Sequence, residues 1–154
     1  MAAHMISQIC IALRDLWLPI AALNGRVYTD DSAVDRQRHT AATVPALHIE
    51  FGGEDATPFS SEMPPDFDCD LSINAELILL RSDSVAFTEI LAQLQELLNA
   101  DYAAVTLGGL VELAAYAGSE KLDKERTGDG DFLEFRTRWK VRYMTAGANP
   151  RAPI

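Results

Sequence analysis

Apolar positions recur at helical spacing near the start of the chain. Ile6, Ile9, Cys10, Leu13, Leu16 and Trp17 stand at offsets 0, 3, 4, 7, 10 and 11, which is one face of a helix. Pro19 stops that helix and Asn24-Gly25 signals a turn before a short strand, Arg26-Val27-Tyr28. Residues 29–43 are polar and read as a loop carrying Asp30, Asp31, Asp35, Arg36 and Arg38. The period then changes to two: Leu47, Ile49 and Phe51 alternate with His48 and Glu50 in a half-buried strand over 44–51, with Pro45 at its start or on a sheet edge. Residues 52–67, with two glycines and three prolines, read as a long surface loop.

Alternation is longest over 68–80. Cys69, Leu71, Ile73, Ala75, Leu77 and Leu79 share one face, and Asp68, Asp70, Ser72, Asn74 and Glu76 share the other. A second amphipathic helix follows, N-capped by Asp83 or Ser84, with Phe87, Ile90, Leu91, Leu94, Leu97 and Leu98 on its apolar face. A strand over 110–116 and a charged hairpin loop over 121–131 lead to a last strand over 132–144. There Leu133, Phe135, Thr137, Trp139, Val141 and Tyr143 oppose Glu134, Arg136, Arg138, Lys140 and Arg142. The order α-β-β-β-α-β-β predicts an α+β fold, an antiparallel sheet with two amphipathic helices packed on one face. Residues 6–145 form the expected single domain, 1–5 read as an expression scar or a disordered start, and 146–154 as a flexible tail.

Composition narrows the function. At 48% hydrophobic and 23% charged, the 154 residues match an ordinary globular domain. Thirteen Lys plus Arg against 23 Asp plus Glu leave a net charge of −10, which disfavours phosphate-gripping nucleic-acid binders and docking on an anionic membrane. No apolar stretch approaches the roughly 20 residues that span a bilayer, and the first residues lack a basic n-region. Cys10 and Cys69 have no metal-ligand spacing and read as small buried side chains in a reducing compartment.

Candidate chemistry is sparse. Asp66, Asp68 and Asp70 at i, i+2, i+4 would suit Mg²⁺ or Ca²⁺, but Leu71 and Leu77 stand where a calcium loop needs Gly and Glu. A solvated acidic strand end is the expectation there, and turn residues are expected at Asp129 and Asp131. His4, His39 and His48 have no paired context, and no nucleophile elbow, zinc signature or phosphate loop is present. The expectation is a protein that is not an enzyme, with no cofactor and no metal.

One charge feature is informative. Arg136, Arg138, Lys140 and Arg142, four of the 13 basic residues, alternate on one strand face. Their repulsion calls for carboxylates. Asp68, Asp70 and Glu76 could supply them within the chain, or a neighbouring subunit could supply them and so fix register in an oligomer. A nucleic-acid groove is a third reading, disfavoured by the net charge and by aromatics on the opposite face.

The opening helix, Asn24-Gly25-Arg26-Val27-Tyr28, the strand led by Pro45-Ala46-Leu47, the helix over 85–99, Leu107-Gly108-Gly109-Leu110-Val111 and Trp139-Lys140-Val141-Arg142-Tyr143 together resemble bacteriophage tail terminator (tail completion) proteins of the minor tail protein U type. The resemblance covers residues 6 to about 145. It implies a small α+β structural virion protein that forms a six-fold ring on the finished tail tube, ends elongation and offers a surface to the head–tail connector. It also implies no catalytic residues, a location in the virion tail after assembly in the host cytoplasm, and DNA that passes through the ring unbound. The subunit-interface candidates are Arg136, Arg138, Lys140 and Arg142. Another neck protein or a small bacterial binding or adaptor module are the alternatives.

Overall fold

A computed structural model describes residues 4–30, 39–122, 132–147 and 149–154. Helix α1 runs Met5–Trp17, and its contact face repeats every fourth residue: Met5, Ile9, Leu13 and Trp17 are all fully buried. The chain is therefore structured from His4, whose Nδ1 accepts the Ile6 N–H at 3.1 Å and caps the helix. This corrects the expectation that 4 and 5 belong to an unstructured start, since Met5 extends the apolar stripe by one turn.

Six strands form one mixed sheet: β1 (Val27–Thr29), β2 (Ala46–Pro58), β3 (Phe67–Leu80), β4 (Leu113–Leu122), β5 (Phe132–Ala146) and β6 (Asn149–Pro153). The order is β1-β2-β3-β5-β4, with β6 on β5. All pairings are antiparallel except β1–β2, which is parallel. That exception follows from the long polar crossing between the two strands, since a parallel pair cannot be closed by a tight hairpin. The α+β class holds.

Two helices complete the layer: α2 (Ala86–Leu98), burying Ile90, Leu94 and Leu98, and the single turn α3 (Tyr102–Val105). Trp17 and Trp139 join helices to sheet with ring centroids 4.9 Å apart, and Trp17 Nε1 donates to the Leu94 carbonyl at 3.1 Å.

Several boundaries differ from the sequence expectation. Gly52-Gly53 is a β-bulge rather than a loop start, so β2 continues to Pro58 and the connecting loop shrinks to 59–66. Gly52 lies so close to β3 that a Cβ would stand 3.0 Å from Asn74 Nδ2. α2 is N-capped by Val85 without a side-chain bond, because a 3₁₀ turn over Arg81–Asp83 already holds Ser84 helical. Strand β4 starts at Leu113, since Leu107, Gly108 and Gly109 take positive φ in a turn. Residues 149–153, expected as a tail, form β6, held where Thr145 Oγ1 meets the carbonyls of Asn149 (2.9 Å) and Ala152 (3.2 Å). Of the expected hairpin loop, Lys121 and Leu122 belong to β4 and residues 123–131, with Asp129 and Asp131, lie outside the described residues. Asp31, Asp35, Arg36 and Arg38 lie outside them too.

Candidate functional site

The helices cover one face of the sheet, and the alternating side chains on the other face form a charged surface. Strand register arranges it in rows. One row crosses all five main strands: Tyr28 on β1, His48 on β2, Glu76 on β3, Arg136 on β5 and Glu120 on β4. Next come Asn74, Arg138 and Gly118, then Ser72, Lys140 and Ala115, then Asp55, Asp70, Arg142 and Leu113.

Register decides the partner of each basic residue. Glu76 is fully buried, and one of its oxygens accepts from Arg136 Nη2 at 2.8 Å and Nε at 3.2 Å. Those hydrogen bonds hold the Arg136 guanidinium above its ordinary pKa. Arg142 forks onto Asp68, with Nη2 2.7 Å from Oδ2 and Nε 3.2 Å from Oδ1, and also lies 3.4 Å from Glu112. Arg138, with its side chain 47% exposed, shares Glu120 with Arg136 at 3.5 Å. Lys140 donates to Ser72 Oγ at 2.6 Å and has no ion pair among the described residues. The described residues thus supply carboxylates to two members of the row, half-supply a third and give Lys140 a hydroxyl.

The Arg142 hydrogen bonds lower the Asp68 pKa. A depressed carboxyl contributes stability above its unfolded value, near 3.9, and loses it as the pH falls through the folded value. Arg142→Ala is expected to lower the melting temperature slightly at pH 7. The difference should close as the pH falls below 3.9, and close again in about 1 M salt, where screening reaches about 3 Å. Thermal melts across pH and salt check this.

The acidic triplet does not gather. Asp68 is held by Arg142, Asp70 is exposed on the strand, and Asp66 precedes β3, where its backbone N–H donates to Ser60 Oγ at 2.9 Å. Among the described residues no three His, Cys, Asp or Glu side chains are grouped as metal ligands. Among the described residues no helix is long and apolar enough to cross a membrane.

Two clusters escaped the sequence reading. His39 and His48, which showed no paired context, meet with Nε2 atoms 2.8 Å apart; His39 Nδ1 is 2.9 Å from Thr43 Oγ1 and Tyr28 packs on His48. One imidazole must carry the shared Nε2 proton and the other accept it. On the inner face Tyr143 Oη donates to Glu54 Oε2 at 2.5 Å. Burial, then the Glu54 bond, drives the Tyr143 pKa upward, and burial likewise raises the Cys69 thiol. The bulge explains this pair: one extra residue turns Glu54 from the face of His48 and Glu50 to the inner face. Neither cysteine forms a disulfide, and both are buried.

No protein-family model matches the chain, and no curated protein matches it. Among solved structures, a chain of the structure titled "Virion of native gene transfer agent (GTA) particle" is similar at 14% identity with a TM-score of 0.47; the match covers 89% of this chain and 95% of that one.

Proposed function

We propose that this chain is a structural virion protein, a tail terminator that caps the phage tail tube as a homo-oligomeric ring and presents a surface to the head–tail connector. The observation that carries this reading is the division of the basic row. Among the described residues Arg138 shares one carboxylate with Arg136 and Lys140 has a hydroxyl but no carboxylate, so both project from the charged sheet face with cationic capacity to spare. The exposed carboxylates Asp55 and Asp70 stand on the same face toward the opposite edge of the sheet. A surface with unlike ends suits a heterologous contact, the kind that closes rings. The segments that resemble tail terminators fall on α1, the turn into β1, the start of β2, the turn before β4 and the end of β5. The net charge of −10 fits a ring through which DNA slides without being gripped. The role needs no cofactor and no catalytic group.

Light scattering over a concentration series, followed by imaging of the largest species, tests this. The expected result is a ring near six times the 16.9 kDa chain, free in solution or assembled on tail tubes. Arg138→Glu with Lys140→Glu is expected to keep the circular dichroism spectrum and weaken assembly about tenfold or more. A two-fold dimer, or a monomer at every concentration that tail tubes fail to capture, would overturn the reading.

A further inference from the structure

Both long edges of the sheet are open among the described residues. β1 pairs with β2 only at Leu47, His48 and Ile49, so the outer edge of β2 beyond Ile49 has no strand beside it. The outer edge of β4 is likewise unpaired over Leu113–Leu122. Near the end of β2 the Phe59 N–H donates inward to Asp66 O at 3.0 Å. In a strand the donors alternate, so the N–H groups of Glu54 and Ala56 point outward. Exposed donors of this kind are a template for another chain.

We propose that the ring contact is a strand pairing between β4 of one copy and the 51–58 stretch of β2 in the next, which continues the sheet from subunit to subunit. This deepens the ring reading and rests on it. Strand direction permits the contact. β2 and β5 run one way and β3 and β4 the other, so a neighbour rotated about an axis along the strands presents its β2 antiparallel to β4.

Charge names a second copy as the occupant. Across β4 from Lys140 stands Ala115, and across from Arg138 stands Gly118. Both are small, and Arg138 already lies over Gly118, its Nη2 3.3 Å from where a Cβ would be. The Lys140 ammonium rests on Ser72 of β3, on the side away from β4; turned the other way, its stem is long enough to cross the roughly 4.8 Å to β4 and bring the ammonium to the open edge. On the β2 side, Asp55 and Asp70 face each other directly and are both exposed, a like-charge pair that destabilises an isolated sheet. A Lys140 arriving from the neighbour relieves that pair and gains a carboxylate.

A charge exchange tests this, because the two sides of the contact are different surfaces. Asp55→Lys removes the acidic side, and in the same chain it faces Asp70 favourably, so the fold is kept. Lys140→Glu removes the basic side. Each variant alone is expected to assemble at least about tenfold more weakly than the unmodified chain. A 1:1 mixture is expected to restore assembly, since each seam then joins one acid to one base. Mass is read by light scattering, or on tail tubes if the unmodified chain assembles only there. If the unmodified chain assembles and the mixture does not recover, the β4–β2 contact is wrong and the ring reading stands. If the unmodified chain assembles in neither setting, both fall.

Discussion

Replacing Arg136 with methionine is expected to lower unfolding stability by about 3 kcal/mol, because it takes a guanidinium from a buried carboxylate rather than a surface one. The Glu76 side chain is 1% exposed, against 28% for Arg136. Both donors of the fork end on a single Glu76 oxygen. Taking away one partner of such a pair costs far more than the pair contributes, since the remaining charge is already out of water and loses the guanidinium that forks onto it. The double variant Glu76→Leu with Arg136→Met, which removes both charges, should recover most of the loss. Urea unfolding of the two variants and the unmodified chain measures this; a loss below about 0.5 kcal/mol for Arg136→Met would show that the pair does not hold the sheet.

The same geometry changes how the basic row is tested. The alternating pattern makes Arg136, Arg138, Lys140 and Arg142 look equivalent, and all four are candidate contact residues on sequence grounds. Register separates them. Arg136 lies opposite Glu76, Arg142 reaches diagonally to Asp68, and Lys140 lies opposite Ser72. Charge reversal at Arg136 would confound assembly with unfolding, whereas Lys140 can be reversed without stranding a buried group.

Much of the architecture was legible because long elements write their period into the chain. α1 keeps helical spacing and β3 and β5 keep alternation over 13 to 15 residues, and their buried sides match the apolar stripes. What escaped was local or long-range. Gly52-Gly53 carries the composition of a loop, yet strand pairing on both sides of it makes a bulge, and only the bulge sends Glu54 inward to Tyr143. α3 is four residues long, too short to show a period, though Asp101 before it is a capping residue that accepts the Ala104 N–H at 2.7 Å. The His39–His48 contact joins a polar segment to a strand face, and no spacing rule links two such positions. The partners of the basic row depend on strand order, which places β5 between β3 and β4 and so gives it carboxylates from both sides.

Trp139→Ala is expected to cost about 4 kcal/mol, the largest single effect anticipated for this chain. Trp139 is fully buried on the inner face of β5, packed against Trp17 of α1 at 4.9 Å and Tyr116 of β4 at 5.3 Å. Truncation leaves a cavity where helix layer and sheet meet, and the rigid sheet on one side cannot collapse into it. A polar term adds to the loss. Trp139 Nε1 donates to Thr137 Oγ1 at 2.9 Å, and Thr137 Oγ1 donates to the Ala75 carbonyl at 2.8 Å, so the indole anchors a buried hydroxyl that ties β5 to β3. Trp139→Phe keeps most of the volume and loses that donor, and is expected to cost about 1–2 kcal/mol. Denaturant unfolding with an unchanged slope would separate lost packing from a changed denatured state. Equal losses for alanine and phenylalanine would place the cost in the hydrogen bond rather than in the cavity. The two faces of β5 thus answer to different measurements: odd-numbered positions such as Trp139 hold the sheet to its helices, while Lys140, one residue on, lies on the charged face and donates to Ser72.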